Sequence, residues 1–130
     1  MEKLKYLIDS NTIIDFIGGK LPEDKEGWID SILDAEIAIS VINKLEVLVG
    51  VNLELEEIPL FEAFIKTVMV FPLNEAVENK TIDIRKTINL KLPDAIIAAT
   101  ALVHNLEMIT RNVKDFSRVP GLRIIDPFGI

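Results

Sequence analysis

Asp9, Glu46, Asp94 and Asp115 are the residues of this 130-residue chain whose type and surroundings could do chemistry. Asp9 directly follows the apolar run Leu4–Ile8. If that run is a strand, the carboxylate projects from a sheet's carboxyl edge, where α/β folds collect ligand groups. The plain alternative is a turn or capping aspartate, although Ser10 can itself cap the helix that follows. Glu46 falls on a helix opening near Ser40, on the flank of a face formed by Ile42, Leu45, Val49 and Leu53. A carboxylate among apolar neighbours is costly unless paired, protonated or bound to a cation. The alternative is a boundary glutamate that reaches water or a core arginine. Asp94 follows Pro93 in a first helical turn, which the helix dipole makes favourable for any acid. The run after it, Ala95–Val103, is apolar nearly all round, so this helix start points an acid into a buried location. Asp115 lies in Thr110–Phe116, just past an apolar segment ending at Ile109. Asn112, three residues earlier, is either a second polar ligand or a turn former.

Several carboxylates cannot share a small site as bare anions, because repulsion raises their pKa values. A divalent cation removes that cost, and hard oxygen ligands select Mg²⁺ or Mn²⁺. The reaction such sites commonly support is phosphoryl transfer. Little else in the chain competes for the role. Cys is absent, which excludes a disulfide framework, a thiolate metal site and a Cys nucleophile. His104 is the one histidine; near a helix end, its cation would complement the dipole. Asp15, six residues past Asp9 on another helix face, reads as solvated.

The elements that must position these acids follow from apolar periodicity and capping signals. Leu4–Ile8, Ile37–Ile39, Val68–Phe71, Glu107–Ile109 and Leu122–Ile125 read as short strands. Helices are expected from Ser10 to Ile17, stopped by Gly18 and Gly19, and from Asp24 to Leu33. Others run from Ser40 to about Gly50, Glu56 to Lys66, Asn74 to about Asn89 with Ala76, Val77, Ile84 and Ile88 inward, and Asp94 to His104. Strands alternating with helices over one 130-residue domain predict an α/β three-layer sandwich with a mainly parallel sheet.

Charge is uneven along the chain. The total is −7, which excludes a simple basic nucleic-acid binder. Yet residues 1–79 carry a balance of −10 and residues 80–130 one of +3. Lys80, Arg85, Lys86 and Lys91 fall in one basic stretch; Arg111, Lys114, Arg118 and Arg123 fall in another. Two solvated faces would account for this, and so would a polyanion-holding surface. No apolar run approaches the roughly 20 residues that span a bilayer, and no signal peptide is evident. A cytoplasmic location suits a chain without Cys.

Four segments carry a resemblance. They are Leu7-Ile-Asp-Ser-Asn-Thr-Ile-Ile-Asp-Phe16, Ser40-Val-Ile-Asn-Lys-Leu-Glu46, Lys91-Leu-Pro-Asp-Ala-Ile-Ile-Ala-Ala-Thr-Ala101, and Thr110-Arg-Asn-Val-Lys-Asp-Phe116 with Val119-Pro-Gly-Leu122. In this order, over nearly the full length, the chain resembles PIN-domain ribonucleases, specifically the VapC-like toxins of type II toxin–antitoxin pairs. The resemblance implies a five-stranded sheet of order 3-2-1-4-5 and Mg²⁺- or Mn²⁺-dependent cleavage of single-stranded RNA. It places the acidic quartet on Asp9, Glu46, Asp94 and Asp115, as metal-binding and catalytic residues. Asn11, Thr110 and Asn112 match positions that support the site. A homodimer and a cognate antitoxin are implied as well. Arg85, Lys86, Lys91, Arg111 and Lys114 would then hold the RNA backbone. Two other readings compete. A dehalogenase-type phosphatase also begins with an acid after its first strand, but it needs a second Asp where this chain has Asn11. A non-catalytic RNA- or protein-binding module on the same fold is the other.

Overall fold

The computed structural model describes residues 4–20, 27, 37–49 and 53–129. Five strands form the sheet: β1 (Tyr6–Ile8), β2 (Ile37–Ser40), β3 (Met69–Phe71), β4 (Glu107–Ile109) and β5 (Ile124–Ile125). Their spatial order is β3-β2-β1-β4-β5, and every pairing is parallel. The helices are α1 (Ser10–Ile17), α2 (Val41–Leu48), α3 (Ile58–Ile65), α4 (Glu75–Thr87), α5 (Leu92–Val103) and α6 (Val113–Phe116). A 3₁₀ turn at Leu55–Glu57 leads into α3. The expected helix from Asp24 to Leu33 lies outside the described residues apart from Gly27.

The central strands β1, β2 and β4 are buried on both faces, as parallel strands between helical layers must be, whereas the edge strands β3 and β5 are partly open. Side chains alternate across the sheet. Leu7, Ala38 and Met108 point into one core with Val77 and Ile84 of α4 and the alanine-rich α5. Ile8, Ile39 and Ile109 point into the other, with Ile13 of α1, Val47 of α2 and Phe61 and Phe64 of α3. Ala95, Ala98, Ala99 and Ala101 are fully buried. Small side chains there let α5 lie close against its neighbours, and Pro93 sits in its first turn, where no N–H is missed.

Several sequence expectations shift by one helical face. Leu45 and Val49 are exposed on α2, while Asn43 and Val47 face inward. Apolar residues occur on both sides of that helix, so periodicity alone did not select the buried one. In α4, Ala76 is exposed and Thr81 is buried instead, its hydroxyl donating to the Val77 carbonyl at 2.7 Å. Helix α6 was not anticipated. Four residues are too few for a period, but the Asn112-x-x-Asp115 spacing carries its cap signal, and Asn112 Oδ1 accepts from the Asp115 N–H. Among the described residues no helix is long and apolar enough to cross a membrane.

Candidate active site

The chain runs outward from β1 to β2 and β3, then returns to place β4 on the other side of β1. The switch point therefore lies between β1 and β4, and a crevice opens past their carboxyl ends. Asp9 stands at the end of β1 and Thr110 at the end of β4. The Thr110 hydroxyl donates to Asp9 Oδ2 at 2.8 Å across the switch point, a bond between residues 101 apart in sequence. The Asp9 N–H donates to the Ile109 carbonyl at 2.9 Å.

Asp9 is 6% exposed. It occupies the N-cap position of α1, and its Oδ1 accepts from the Ser10 N–H at 2.9 Å. The capping role expected of Ser10 thus passes to Asp9, because Ser10 is already the first helical residue. The Ser10 hydroxyl is used elsewhere. It accepts from Asn43 Nδ2 at 2.9 Å and donates to Glu46 Oε1 at 2.8 Å. Asn43 is fully buried, and its Oδ1 accepts the Ser40 N–H as part of a capping box at the start of α2. A chain of bonds therefore runs from the α2 cap through Asn43 and Ser10 to Glu46. Glu46 itself is solvent-exposed at the cleft mouth and does not sit in an apolar core. Sequence reasoning missed Ser10 and Asn43 as members of this set. The Ser40-x-x-Asn43 box and the i, i+3 relation of Asn43 to Glu46 were the available signals.

These groups line a cleft of about 460 Å³ bounded by Asp9, Ser10, Asn11, Ile14, Glu46, Val47, Val49, Asp94 and Asn112. Asp94 enters it from the first turn of α5. A second cleft of about 310 Å³ shares Asp94 and is otherwise lined by Arg85, Asn89, Leu90, Lys91 and Asp115. Asp115 is therefore placed beside Asp94 in the second cleft, and Asn112 takes the position facing Asp9. The two are linked: Asn112 Nδ2 donates to Asp115 Oδ2 at 3.2 Å, and the Asn112 N–H donates to Thr110 Oγ1 at 2.9 Å.

The electrostatics single out Asp9. Burial pushes its carboxyl up from 3.8 to about 6, against the lowering effect of the Thr110 and Ser10 bonds; the charges of Asp94 and Glu46 raise it further. Asp94 is raised as well, by burial first and then by Glu46 and Asp115, with Lys91 pulling it back. Among the described residues no cation pairs with Asp9. Oxygen donors from Asp9, Glu46, Asp94 and Asn112 around one cleft fit a hard divalent ion in kind. Among the described residues no three acidic or histidine side chains are grouped closely enough to hold an ion alone.

The remaining predicted residues divide. Arg85 and Lys91 line the second cleft, whereas Lys86 and Lys114 are exposed and line neither. Arg111 is committed to an ion pair, its Nη1 lying 2.7 Å from Asp15 Oδ2, with its guanidinium 4.8 Å over the Phe128 ring. Asp15 is accordingly buried and paired, not solvated as expected. His104 stacks on Phe71 with ring centroids 3.6 Å apart, and burial lowers its pKa. Its role is structural, through the ring stack rather than through a charge at the helix end.

The PIN domain family matches residues 6–122. Over 95% of its length the chain is 29% identical to the tRNA(fMet)-specific endonuclease VapC of Salmonella typhimurium, covering 98% of that protein. It is 31% identical to ribonuclease VapC of Rickettsia bellii, covering 92% of this chain and 93% of that one. Among solved structures, DNA-bound VapBC from Salmonella typhimurium superposes with a TM-score of 0.82 at 29% identity, covering 95% of this chain and 98% of that one. A toxin–antitoxin complex from Klebsiella pneumoniae gives 0.78 at 32% identity, covering 97% and 100%. With the parallel 3-2-1-4-5 sheet and Asp9 at its switch point, the chain belongs to the PIN-domain family, as a VapC-like ribonuclease toxin of the VapBC toxin–antitoxin systems.

Proposed function

We propose that this ribonuclease is a divalent-metal-dependent endonuclease that hydrolyses phosphodiester bonds in single-stranded RNA within the first cleft. The observation that carries the reading is Asp9: a buried carboxylate raised to about 6, held by neutral donors and faced by two further acids. Asp9 and Asp94 would hold Mg²⁺ or Mn²⁺ directly, with Glu46, Asn112 and Asp115 contributing directly or through water. When bound, such an ion activates a water, polarises a phosphoryl oxygen and offsets charge on the leaving oxygen. The chain's own groups do the rest. Thr110 and the Ser10 N–H each occupy one oxygen of Asp9 and fix the carboxylate plane. The Ser10 hydroxyl occupies Glu46 Oε1 and leaves Oε2 to accept a proton from the attacking water. Asn11 and Asn112 offer amide groups on the cleft wall.

The whole chain, residues 1–130, acts as one domain, as the toxic half of a pair whose other half is an antitoxin, in the cytoplasm and as a homodimer. tRNA(fMet), named for the Salmonella relative, is the first RNA to test. Cleavage with Mg²⁺ or Mn²⁺ is expected, and EDTA abolishes it. Asp9→Asn and Asp94→Asn each lower the rate by roughly 10²–10⁴-fold while circular dichroism stays native. Cleavage indifferent to EDTA, or retained in both variants, overturns the assignment. A module that binds without cutting would show no Mn²⁺-dependent rise in Tm.

A further inference from the structure

We infer that the second cleft is a subsite for an RNA phosphate flanking the scissile one, gripped by Arg85 and Lys91. The inference rests on the first cleft being the cleavage site, and it assigns the neighbouring cleft a separate task. Three observations support it. The two clefts are contiguous, because Asp94 lines both. A strand whose scissile phosphate lies against Asp94 in the first therefore has the second within reach of an adjacent linkage.

The second cleft is also built, not incidental. Arg85 closes the last turn of α4, and its Nε donates to the Leu90 carbonyl at 3.1 Å. That bond orients the guanidinium and leaves its terminal nitrogens to meet an acceptor from solvent. Lys91 immediately precedes α5. The turn joining them is braced from the other side by Arg118, whose Nη2 donates to the Asn89 carbonyl.

The charges within the cleft also balance in a particular way. Asp115 has Arg118 near it, Nη1 lying 3.8 Å from Oδ1. Lys91 faces Asp94. Arg85 has no carboxylate partner among the described residues. A cation held by Asp94 in the first cleft would release Lys91 from balancing that acid. Arg85 and Lys91 would then be the surplus positive charge, and a phosphodiester is the ligand that complements it. Lys86 and Lys114, although basic and nearby in sequence, do not line this cleft.

The test uses the full chain and an oligoribonucleotide spanning one mapped cut. Each flanking phosphate in turn is replaced by a neutral methylphosphonate, with a 2′-deoxy sugar at that linkage so that the ester survives. The same deoxy substitution with an ordinary phosphate is the reference. In the unaltered protein, one flanking position is expected to lose about 10-fold in kcat/KM on neutralisation. In Lys91→Gln and in Arg85→Gln the same neutralisation costs less, about 3-fold, because one of the two cations has gone, and in the double variant it costs nothing further. Lys66→Gln, a surface charge lining neither cleft, retains the full 10-fold loss. Lys91→Gln supplies the answer if Arg85→Gln disturbs the turn. The inference is overturned if no flanking position matters to the unaltered protein, or if neutralisation costs the two variants as much as it costs the unaltered chain. Absence of any cleavage by the unaltered protein with Mn²⁺ would overturn the cleavage reading itself.

Discussion

Asp9 and Asp15 lie six residues apart, and each is 6% exposed. Their surroundings solve the burial of a carboxylate in opposite ways. Asp15 has a guanidinium 2.7 Å away, itself stacked over Phe128, so the charge is paired by the protein's own cation. Asp9 has only a backbone N–H and a threonine hydroxyl, and its proton affinity rises instead. One acid is paired within the protein; the other has only neutral donors, which is the state the proposed metal-binding role calls for. Burial alone therefore does not mark a site acid in this fold. Burial without a cation, with further acids facing the same cleft, is what the proposed function takes as the mark.

The largest effect expected from that contrast is in the pH dependence of stability. Asp9 binds a proton more tightly folded, at about 6, than unfolded, at 3.8. Between those values the folded state retains a proton that the unfolded state has lost, so the metal-free chain loses stability as pH rises through the window. The loss is on the order of 3 kcal/mol, and Asp94, raised in the same direction, adds to it. Urea unfolding at pH 4.5 and pH 7 should show Asp9→Asn flattening this slope and stabilising the metal-free chain at pH 7. A slope identical to that of the unaltered protein would contradict the contrast.

Arg111→Met probes the other member of the pair. It strands a buried Asp15, and unpairing a fully buried ion pair costs about 3–5 kcal/mol. The Arg111 side chain is 50% exposed, so water softens the loss to about 1–2 kcal/mol. Adding Asp15→Asn should restore part of the urea midpoint, and a midpoint unmoved by Arg111→Met would show the pair to be dispensable. Removal of a charge thus stabilises at position 9 and destabilises at 111.

Thr110→Val is the finest test. It deletes the hydroxyl that lowers Asp9 and should cost about 1 kcal/mol. It should also move the pH of half-maximal Mn²⁺ binding upward, read by titration of the metal across pH. An unchanged binding profile would remove Thr110 from the site.

Most strands and helices were readable from local pattern, because short apolar runs bounded by Ser, Asn, Pro and Gly carry their own start and stop chemistry. The inward face of α2 was not. Leu45 and Val49 look like core, yet Asn43 is the residue that goes inside, because its amide is satisfied at both ends. The pairing of Asp15 was equally invisible, since its partner Arg111 lies 96 residues further along the chain.

What the sequence determined by itself was the alternation of strand and helix, the position of Asp9 after its strand, and the order of the four acidic segments. These depend on neighbours a few residues away. The tertiary structure decided which acids share a cleft, that Asn112 faces Asp9 while Asp115 turns to the basic side, and that Arg111 belongs to Asp15. Each of those outcomes joins groups from separate elements, such as Thr110 to Asp9 across 101 residues. No local propensity encodes such a distance; the strand order and the packing of helices on the sheet do.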